Sequence, residues 1–206
     1  MTELISRYPI LSECENEIKK AADALIRTFE NGGKLLVCGN GGSAADSEHI
    51  VGELMKGFMY PRALTDEKKA ALKQANPSLS DSTLNSLQGA LPAISLTSHP
   101  SFSSAFANDA VPSLVFAQQL YALGRHGDIF LGITTSGSSK NVCEAAEIAK
   151  ALGITVIALT GRSGGRLRGI ADICIRVPED ETYKVQELHL PVYHFLCAET
   201  EKHFFG

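Results

Sequence analysis

The stretch KLLVCGNGGSAADSEH, residues 34–49, decides the fold of this chain. Its first six residues are an apolar run ending in glycine, which is typical of a parallel strand buried on both faces. The glycine-rich segment GNGGS follows, and from about Ser43 to Lys56 the apolar residues recur at helical spacing. A strand that turns through glycines into a helix is the unit from which doubly wound α/β folds are built.

The same order of strand, loop and helix repeats along the rest of the chain. The patterns predict strands at 92–98, 128–134, 154–161 and 172–178, and helices at about 12–31, 111–124, 142–153 and 183–205. Ser12 is expected to cap the first of these helices, with Glu15 at the capping-box position. This alternation predicts a single α/β domain over residues 1–206, in which helices cover both faces of a parallel sheet.

Length, composition and charge narrow the possible classes of protein. The chain has 206 residues, of which 44% are hydrophobic and 20% charged, as is usual for a soluble globular protein and unusual for a disordered one. The formal net charge of −4 argues against a nucleic-acid partner. No run of about 18 apolar residues is present, so we expect no membrane span.

The N-terminus and the cysteines bear on the cellular compartment. The first twenty residues lack the basic region and apolar run of a secretory signal. The five cysteines are widely scattered and contain no CxxC pair. Both observations favour a cytoplasmic protein with reduced thiols.

Residues 59–92 differ from the rest because they are more polar and carry three prolines. Thr65 is expected to cap a short helix in DEKKAALKQ, and a second helix is expected after Ser80 or Asp81. A structureless loop of this length would be unusual inside a compact domain. The segment therefore reads as a helical insertion that is too short to hold a core of its own.

Two polar loops follow strands of the predicted sheet, where parallel sheets bind ligands. The glycine loop, residues 39–43, lets backbone N–H groups approach a ligand at the start of a helix. The hydroxyl loop, residues 134–139, has five Ser or Thr residues in six positions, which suits a phosphate monoester. The alternative is that both loops only cap their helices, although one hydroxyl would be enough for a cap.

Several His, Glu and Gln side chains can surround a reaction centre. His49 and Glu53 are four residues apart on one helix face, so they can serve as acid–base groups or metal ligands. Gln186 and His194 lie about two turns apart on the last helix and can border one cavity, whereas His189 points the other way. The alternative for each is a solvated or hydrogen-bonded structural residue.

Two further groups of polar residues follow predicted strands. Asn108 and Asp109 can hydrogen-bond to sugar hydroxyls, but they can equally cap the helix at 111–124. Arg162, Arg166 and Arg168 can reach a phosphate, but the segment SGGRLRG is equally consistent with a turn and an exposed helix.

In this order, the motifs resemble the sugar isomerase (SIS) domain family and are most similar to its phosphoheptose isomerases. The resemblance is carried by CGNGGSAADSEHIVGEL, FAND, GITTSGSSKNV, VIALTGRSGG, DICIRVP and VQELHLPVYH. It spans nearly the whole chain apart from residues 59–92. It implies a flavodoxin-like αβα sandwich around a five-stranded parallel sheet, assembled as a homotetramer with sites at subunit interfaces.

The resemblance also implies roles for individual residues. Glu53 and His194 match the catalytic glutamate and histidine of the family. The positions that match substrate contacts are Asn40, Gly41, Gly42, Ser43, Asn108, Asp109, Thr134, Thr135, Ser136, Ser139 and Gln186. A zinc site of some members is matched by His49, Glu53, Gln186 and His194. The implied ligand is a phosphorylated sugar, and the implied cofactor is Zn²⁺.

The activity implied by the resemblance is aldose–ketose isomerisation of sedoheptulose 7-phosphate to D-glycero-D-manno-heptose 7-phosphate. Glu53 would move the carbon-bound proton, and His194 would serve the sugar oxygens. The sequence departs from the family pattern at Lys56, one position away from a usual basic residue, and at the insertion 59–92. Two alternatives remain: a noncatalytic SIS protein that binds phosphosugars or docks on a partner, and an isomerase of another phosphosugar.

Overall fold

The computed structural model describes residues 1–206, and five strands form its sheet. The strands are β1 (Leu35–Cys38), β2 (Ala93–Ser95), β3 (Ile129–Thr134), β4 (Thr155–Thr160) and β5 (Ile173–Arg176). They lie in the order β2-β1-β3-β4-β5, and all neighbours are parallel, which confirms the predicted sheet. The strand order reverses between β1 and β3, the place where sheets of this type bind ligands.

Nine α-helices surround the sheet. They are α1 (Thr2–Arg7), α2 (Glu15–Glu30), α3 (Gly42–Met55), α4 (Asp66–Ala75), α5 (Asp81–Ser86), α6 (Pro100–Asp109), α7 (Val115–Leu123), α8 (Lys140–Ala151) and α9 (Thr182–Phe205). Short 3-10 turns occupy Pro9–Cys14, Pro112–Leu114 and Arg166–Gly169. None of the helices combines the length and the apolar character needed to cross a membrane.

The two faces of the sheet carry separate apolar cores, because successive side chains of a strand point to opposite sides. On β1, Leu35 and Val37 join the core covered by α2, α3 and α9. Leu36 and Cys38 join the core on the other face, under α7 and α8. All four residues are at most 1% exposed. The molecule is thus the αβα sandwich that the resemblance implied.

The segment 59–92 contains the two short helices that were predicted, but they cover only 16 of its 34 residues, so it is less helical than expected. Thr65 caps α4 by accepting a hydrogen bond from the backbone N–H of Lys68, and Ser80 caps α5 in the same way. Helix α4 buries none of its residues, and α5 buries only Leu84. Apart from Leu91, which joins the core covered by α2, α3 and α9, the segment is therefore an excursion that lies outside both cores.

The two ends of this excursion lie side by side. The backbone N–H of Gly89 donates to the Arg62 carbonyl at 2.6 Å, and Ala63 forms an isolated antiparallel bridge with Gln88. The Gln88 side chain also accepts a hydrogen bond from the backbone N–H of Gly57. These contacts close the base of the excursion just beyond the end of α3.

The expected helix at 12–31 begins later than predicted. A 3-10 turn that starts at Pro9 includes Ser12, and α2 begins at Glu15 without a side-chain cap. The prediction that Ser12 caps the helix is therefore wrong. The preceding helix α1 was not predicted, because six residues are too few to display a helical period.

The alternative that Asn108 and Asp109 cap the helix at 111–124 is also wrong. Both residues end a separate helix, α6, which has Pro100 at its first turn. Helix α7 begins only at Val115, after a 3-10 turn.

Candidate active site

The glycine loop lies between the end of β1 and the start of α3. Gly41 has a φ of 55°, a conformation that glycine adopts without strain. A Cβ atom on Gly42 would lie 2.5 Å from the amide nitrogen of Gln186, so only glycine lets this side chain approach so closely. The N-terminus of α3, with its exposed N–H groups and positive dipole end, therefore opens beside Gln186.

The hydroxyl loop lies at the end of β3, and its side chains contact one another. Thr134 Oγ1 is 2.7 Å from Ser139 Oγ and 3.4 Å from Ser136 Oγ. Ser139 occupies the cap position of α8, but its hydroxyl makes no capping bond to the helix. Ser136 is exposed and Thr135 is half-buried. Hydroxyl groups at a helix N-terminus are well suited to bind a phosphate.

A pair of asparagines joins the two loops. The Asn40 amide donates to Asn141 Oδ1 at 3.0 Å, and the Asn141 amide donates back to Asn40 Oδ1 at 2.9 Å. The loops are neighbours because β1 pairs directly with β3. The structure therefore makes one polar edge out of two motifs that are about a hundred residues apart.

Helices α3 and α9 pack side by side in the same direction, and we call their contact the seam. Gly42 contacts Gln186 at the beginning of the seam, and His49 contacts Tyr193 seven residues further along both helices. Both pairs are separated by 144 positions, so the two helices keep a constant parallel register. Helix α9 continues through Pro191 without a break.

Midway along the seam, His49 bridges Tyr193 and Glu53. Its Nδ1 atom lies 3.0 Å from the Tyr193 hydroxyl, and its Nε2 atom lies 3.3 Å from Glu53 Oε1. The rings of His49 and His194 meet edge to face, with centroids 5.0 Å apart. The candidate catalytic residues Glu53 and His194 thus both lie against His49, in one cluster.

Two polar atoms of this cluster are buried and have no hydrogen-bond partner, Glu53 Oε2 and His194 Nε2. The ammonium group of Lys56 lies 3.6 Å from Glu53 Oε2, close enough for attraction but not for a hydrogen bond. Burial lowers the pKa of His194, with a further contribution from His49, so its imidazole is neutral near pH 7. A carboxylate oxygen without a hydrogen-bond partner can accept a proton, and a neutral imidazole in the same cluster can donate or accept one, so the two groups are suited to proton transfer.

A cavity of about 440 Å³ adjoins this cluster on the outer side of α9. Its wall includes His194 together with Phe58, Tyr60, Leu4 and Phe195. The Phe58 ring lies 5.7 Å from the His194 ring, centroid to centroid. The excursion and the N-terminal helix therefore both contribute to the surroundings of His194.

The other predicted residues lie farther from this cluster. Gln186 precedes His194 by eight residues, which is about 12 Å along a helix. No group of three or more His, Cys, Asp or Glu side chains is arranged so that it could hold a metal ion. Asn108 and Asp109 are exposed at the end of α6, where the Asn108 amide donates to Asp109 at 2.8 Å. His189 is fully buried, and neither ring nitrogen has a hydrogen-bond partner.

Sequence reasoning missed several residues of the site. Glu201 lies on the stripe of α9 that carries His194, seven positions beyond it, so helical spacing could have identified it. Tyr193 is the immediate neighbour of His194 and lies on a different face, so spacing gave no signal for it. Asn141 carries no such signal, because its partner Asn40 is distant in the sequence. Arg62 stands in the largely apolar segment FMYPRAL, an unusual place for an exposed arginine, and that context was its only signal.

Comparison with known proteins identifies relatives of this chain. A family model described as the SIS domain matches residues 3–98 and 83–161. A phosphoheptose isomerase of Helicobacter pylori (strain P12) is 38% identical over 194 residues, which are 94% of this chain and 88% of the relative. One from Aneurinibacillus thermoaerophilus is 37% identical and covers 91% and 82%. The solved structure of a phosphoheptose isomerase from Francisella tularensis, 35% identical, matches with a TM-score of 0.76 over 98% of this chain and 94% of that one.

Proposed function

Because this chain belongs to the SIS domain family and, within it, to the phosphoheptose isomerases, we propose that it interconverts sedoheptulose 7-phosphate and D-glycero-D-manno-heptose 7-phosphate. One observation of the molecule carries the chemistry. The buried, unpartnered oxygen of Glu53 lies in the same cluster as the unpartnered Nε2 of a neutral His194. An isomerase that moves one proton between two carbons needs such a pair.

Glu53 acts as the base. It removes a proton from C1 of the ketose, and the electron pair of that bond forms a C1–C2 double bond while the carbonyl electrons move to the C2 oxygen. The intermediate is an enediol, and Glu53 then returns the proton to C2. The His49 contact to Glu53 Oε1 holds one carboxylate oxygen, so that Oε2 is left to take the proton.

His194 serves the sugar oxygens. Its imidazole gives a proton to the C2 oxygen as the enediol forms, and it takes the proton of the C1 hydroxyl as the aldehyde forms. The two transfers balance, so the enzyme ends the cycle unchanged. A neutral imidazole can do this near pH 7, and burial keeps His194 neutral by lowering its pKa.

The phosphate is held by the polar edge that the two loops form. Thr134, Thr135, Ser136 and Ser139 supply hydroxyls, and the start of α8 supplies backbone N–H groups and a positive dipole end. Asn40 of the glycine loop, with Asn108 and Asp109, is proposed to contact the sugar. Phosphate binding of this kind acts equally on ground and transition states and so lowers KM.

The direct test is turnover. Purified protein is incubated with sedoheptulose 7-phosphate and, in parallel, with pentose, hexose and amino-sugar phosphates, and aldose formation is followed. We expect the heptose to give the highest kcat/KM. Preference for another sugar would make the chain an isomerase of that phosphosugar, and binding without turnover would make it a noncatalytic SIS protein.

We further propose that the active unit is a homotetramer in which copies complete each other's sites. Glu53 lies eleven residues beyond Gly42, about 16 Å along α3 from the glycine loop. Helix α6 buries none of its residues, and the ring of its exposed Phe102 stacks on the half-buried Phe106. A second copy would cover this surface and bring its own loops to the Glu53 cluster.

Mixing two impaired variants tests this assembly, with activity measured at a substrate concentration far below KM, where a loss of kcat and a rise in KM both lower the rate. A Glu53→Gln chain retains intact loops for binding phosphate, and a Ser136→Ala/Ser139→Ala chain retains an intact Glu53 and His194 cluster. If copies share sites, co-refolded mixtures should recover about a quarter of the wild-type activity, since half of each component is intact at a shared site. If each site lies within one chain, mixing restores nothing.

Zn²⁺ binding is a further proposal. This proposal rests on residue type, because His49, Glu53 and His194 are residues that bind Zn²⁺, although their side chains are not arranged as a metal site within one chain. When bound, the metal would polarise the sugar oxygens. The proposed fourth ligand is Gln186, which the 12 Å separation along α9 would assign to a second copy.

Metal content and thermal stability check this site without relying on turnover. Protein dialysed against Zn²⁺ should retain metal, and chelation should lower Tm because the metal binds only the native state. His49→Ala should abolish both effects, whereas exposed His126→Ala should leave them unchanged. An equal metal content in both variants would remove His49 from the ligand set.

The expected cellular location is the cytoplasm.

A further inference from the structure

A buried ion pair lies at the end of α3, outside the residues assigned so far. Arg62 Nε donates to Glu201 Oε1 at 2.7 Å, and both side chains are fully buried. The Arg62 guanidinium also lies over the Phe205 ring, 4.6 Å from its centroid. An isolated buried charge is costly, so a pair in this position has to be well satisfied.

The other contacts of Arg62 lead to the catalytic helix. Its Nη1 atom donates to the Leu54 carbonyl at 2.6 Å, and its Nη2 atom donates to the Glu53 carbonyl at 2.9 Å. These carbonyls belong to the last turn of α3, whose acceptors have no partners within the helix. A positive charge at this end also complements the helix dipole. Arg62 thus fixes the backbone of the residue that carries the base.

The contacts of Glu201 lead to the surroundings of His194. Its two carboxylate oxygens accept hydrogen bonds from the backbone N–H groups of Phe58 and Met59, at 2.8 and 2.7 Å. Burial opposes the charged form, but these bonds and Arg62 outweigh it and lower the pKa of Glu201. Phe58, held in this way, places its ring against His194.

We propose that Arg62 and Glu201 are positioning residues that set the relative placement of Glu53 and His194. Arg62 holds the backbone of Glu53, and Glu201 holds Phe58 against His194. Because Arg62 also begins the closed base of the excursion, the same pair anchors residues 59–92 to the reaction centre. This inference rests on the proposed roles of Glu53 and His194.

The test compares Arg62→Lys with the wild type. Lysine keeps the charge but cannot reach Glu201 and two carbonyls together, because it lacks the planar fork of arginine. A displacement of about 1 Å can cost about a hundredfold in rate. We expect kcat to fall ten- to a hundredfold while KM changes less than about threefold, because the phosphate loops are untouched.

Two controls separate positioning from stability. Arg27→Lys makes the same exchange at an exposed site on α2, and it should leave kcat unchanged. Val156→Ala lowers stability from the opposite face of the sheet and should lower Tm without lowering kcat per folded molecule. Should Arg62→Lys be insoluble, Glu201→Gln, which has the same shape, gives the same readout.

The outcomes are distinct. A folded Arg62→Lys or Glu201→Gln protein with wild-type kcat would overturn the positioning role while leaving the isomerase intact. Loss of kcat that Val156→Ala reproduces at equal Tm would also overturn it. If the wild type turned over no phosphosugar, the proposed function itself would fail, and that result is independent of both variants.

Discussion

The hydroxyl loop and the seam differ in how their polar groups are arranged. In the loop, the side chains of Thr134 and Ser139 satisfy each other, and all the residues come from one run of six. In the seam, Glu53 Oε2 and His194 Nε2 are buried without hydrogen-bond partners, and residues that face each other across the two helices, such as His49 and Tyr193, are 144 positions apart. The hydroxyl loop is suited to bind a charged phosphate, whereas the seam has polar atoms that are free to exchange protons with a substrate.

This difference predicts that substitutions in the two regions change different kinetic constants. A loop contact is the same before and during the reaction, so its loss raises KM. A seam contact acts only as the proton moves, so its loss lowers kcat. The following substitutions test this contrast, beginning with the largest expected effect.

Glu53→Gln should give the largest effect. It removes the base while keeping the shape of the side chain, so kcat should fall about a thousandfold, within the range of general base catalysis. KM for the heptose phosphate should change little, and Tm should not fall, since the lost oxygen has no hydrogen-bond partner. Steady-state kinetics and a thermal melt measure both.

The matched control is Glu48→Gln, an exposed glutamate on the same helix that accepts a hydrogen bond from Thr97. It should retain wild-type kcat. Equal losses in the two variants would mean that the charge of α3 matters more than the position of Glu53.

The burial of His189 on the inner side of α9 predicts that the folded protein loses stability in acid. Burial lowers the pKa of His189 from 6.5 to about 4, so the unfolded chain binds a proton in this interval that the folded chain does not. Stability is therefore complete above pH 6.5 and falls as the pH drops towards 4, by about 3 kcal/mol from this residue. Urea unfolding of wild type and His189→Leu between pH 4 and 7 measures the difference.

His189→Leu should flatten the pH dependence while kcat at pH 7 stays unchanged, because His189 faces away from Glu53 and His194. Identical pH dependence in the two proteins would show that His189 is protonated equally in both states. The control is His126→Leu, at an exposed histidine that forms no ion pair, and the pH dependence of this variant should follow that of the wild type over this range.

In the hydroxyl loop, Ser136→Ala should raise KM about tenfold and leave kcat within about twofold, since a hydrogen bond to a charged group contributes about 1.5 kcal/mol or more. Ser138→Ala is the matched control. Its hydroxyl accepts from the backbone N–H of Arg166 and so faces the neighbouring loop instead of the ligand. A fall in kcat without a rise in KM for Ser136→Ala would contradict the contrast between loop and seam.

Removal of most of the excursion should have the smallest effect. Ala63 and Gln88 already pair as neighbours, so an Asn-Gly turn can replace residues 64–87. Helix α4 buries nothing, and Arg62 is retained, so kcat on the heptose phosphate should stay within about threefold. A changed order of preference among sugar phosphates would instead give the excursion a role in substrate choice.

The sequence predicted the sheet, both loops and the helices of the excursion, because each is encoded by neighbouring residues. Thr65 and Ser80, for example, cap helices that start one residue later. Ser12 failed as a cap because Pro9 starts a 3-10 turn that a local capping pattern does not reveal.

The site was predicted less completely, for a physical reason. Tyr193 contacts His49 from 144 positions away, and Arg62 contacts Glu201 from 139 positions away. Only the packing of α9 against α3 and against the start of the excursion brings these residues together. Residue type gave no indication of these contacts. The resemblance supplied Glu53 and His194, but not the residues that hold them in place.

Transfer of a proton by Glu53 between C1 and C2 of the sugar can be followed by exchange of that proton with deuterium from the solvent. Sedoheptulose 7-phosphate is incubated with wild type and Glu53→Gln in D2O, and deuterium at C2 of the aldose is followed by mass spectrometry and NMR. We expect aldose labelled at C2 with the wild type and about a thousandfold slower labelling with Glu53→Gln. Equal labelling rates in the two proteins would contradict it.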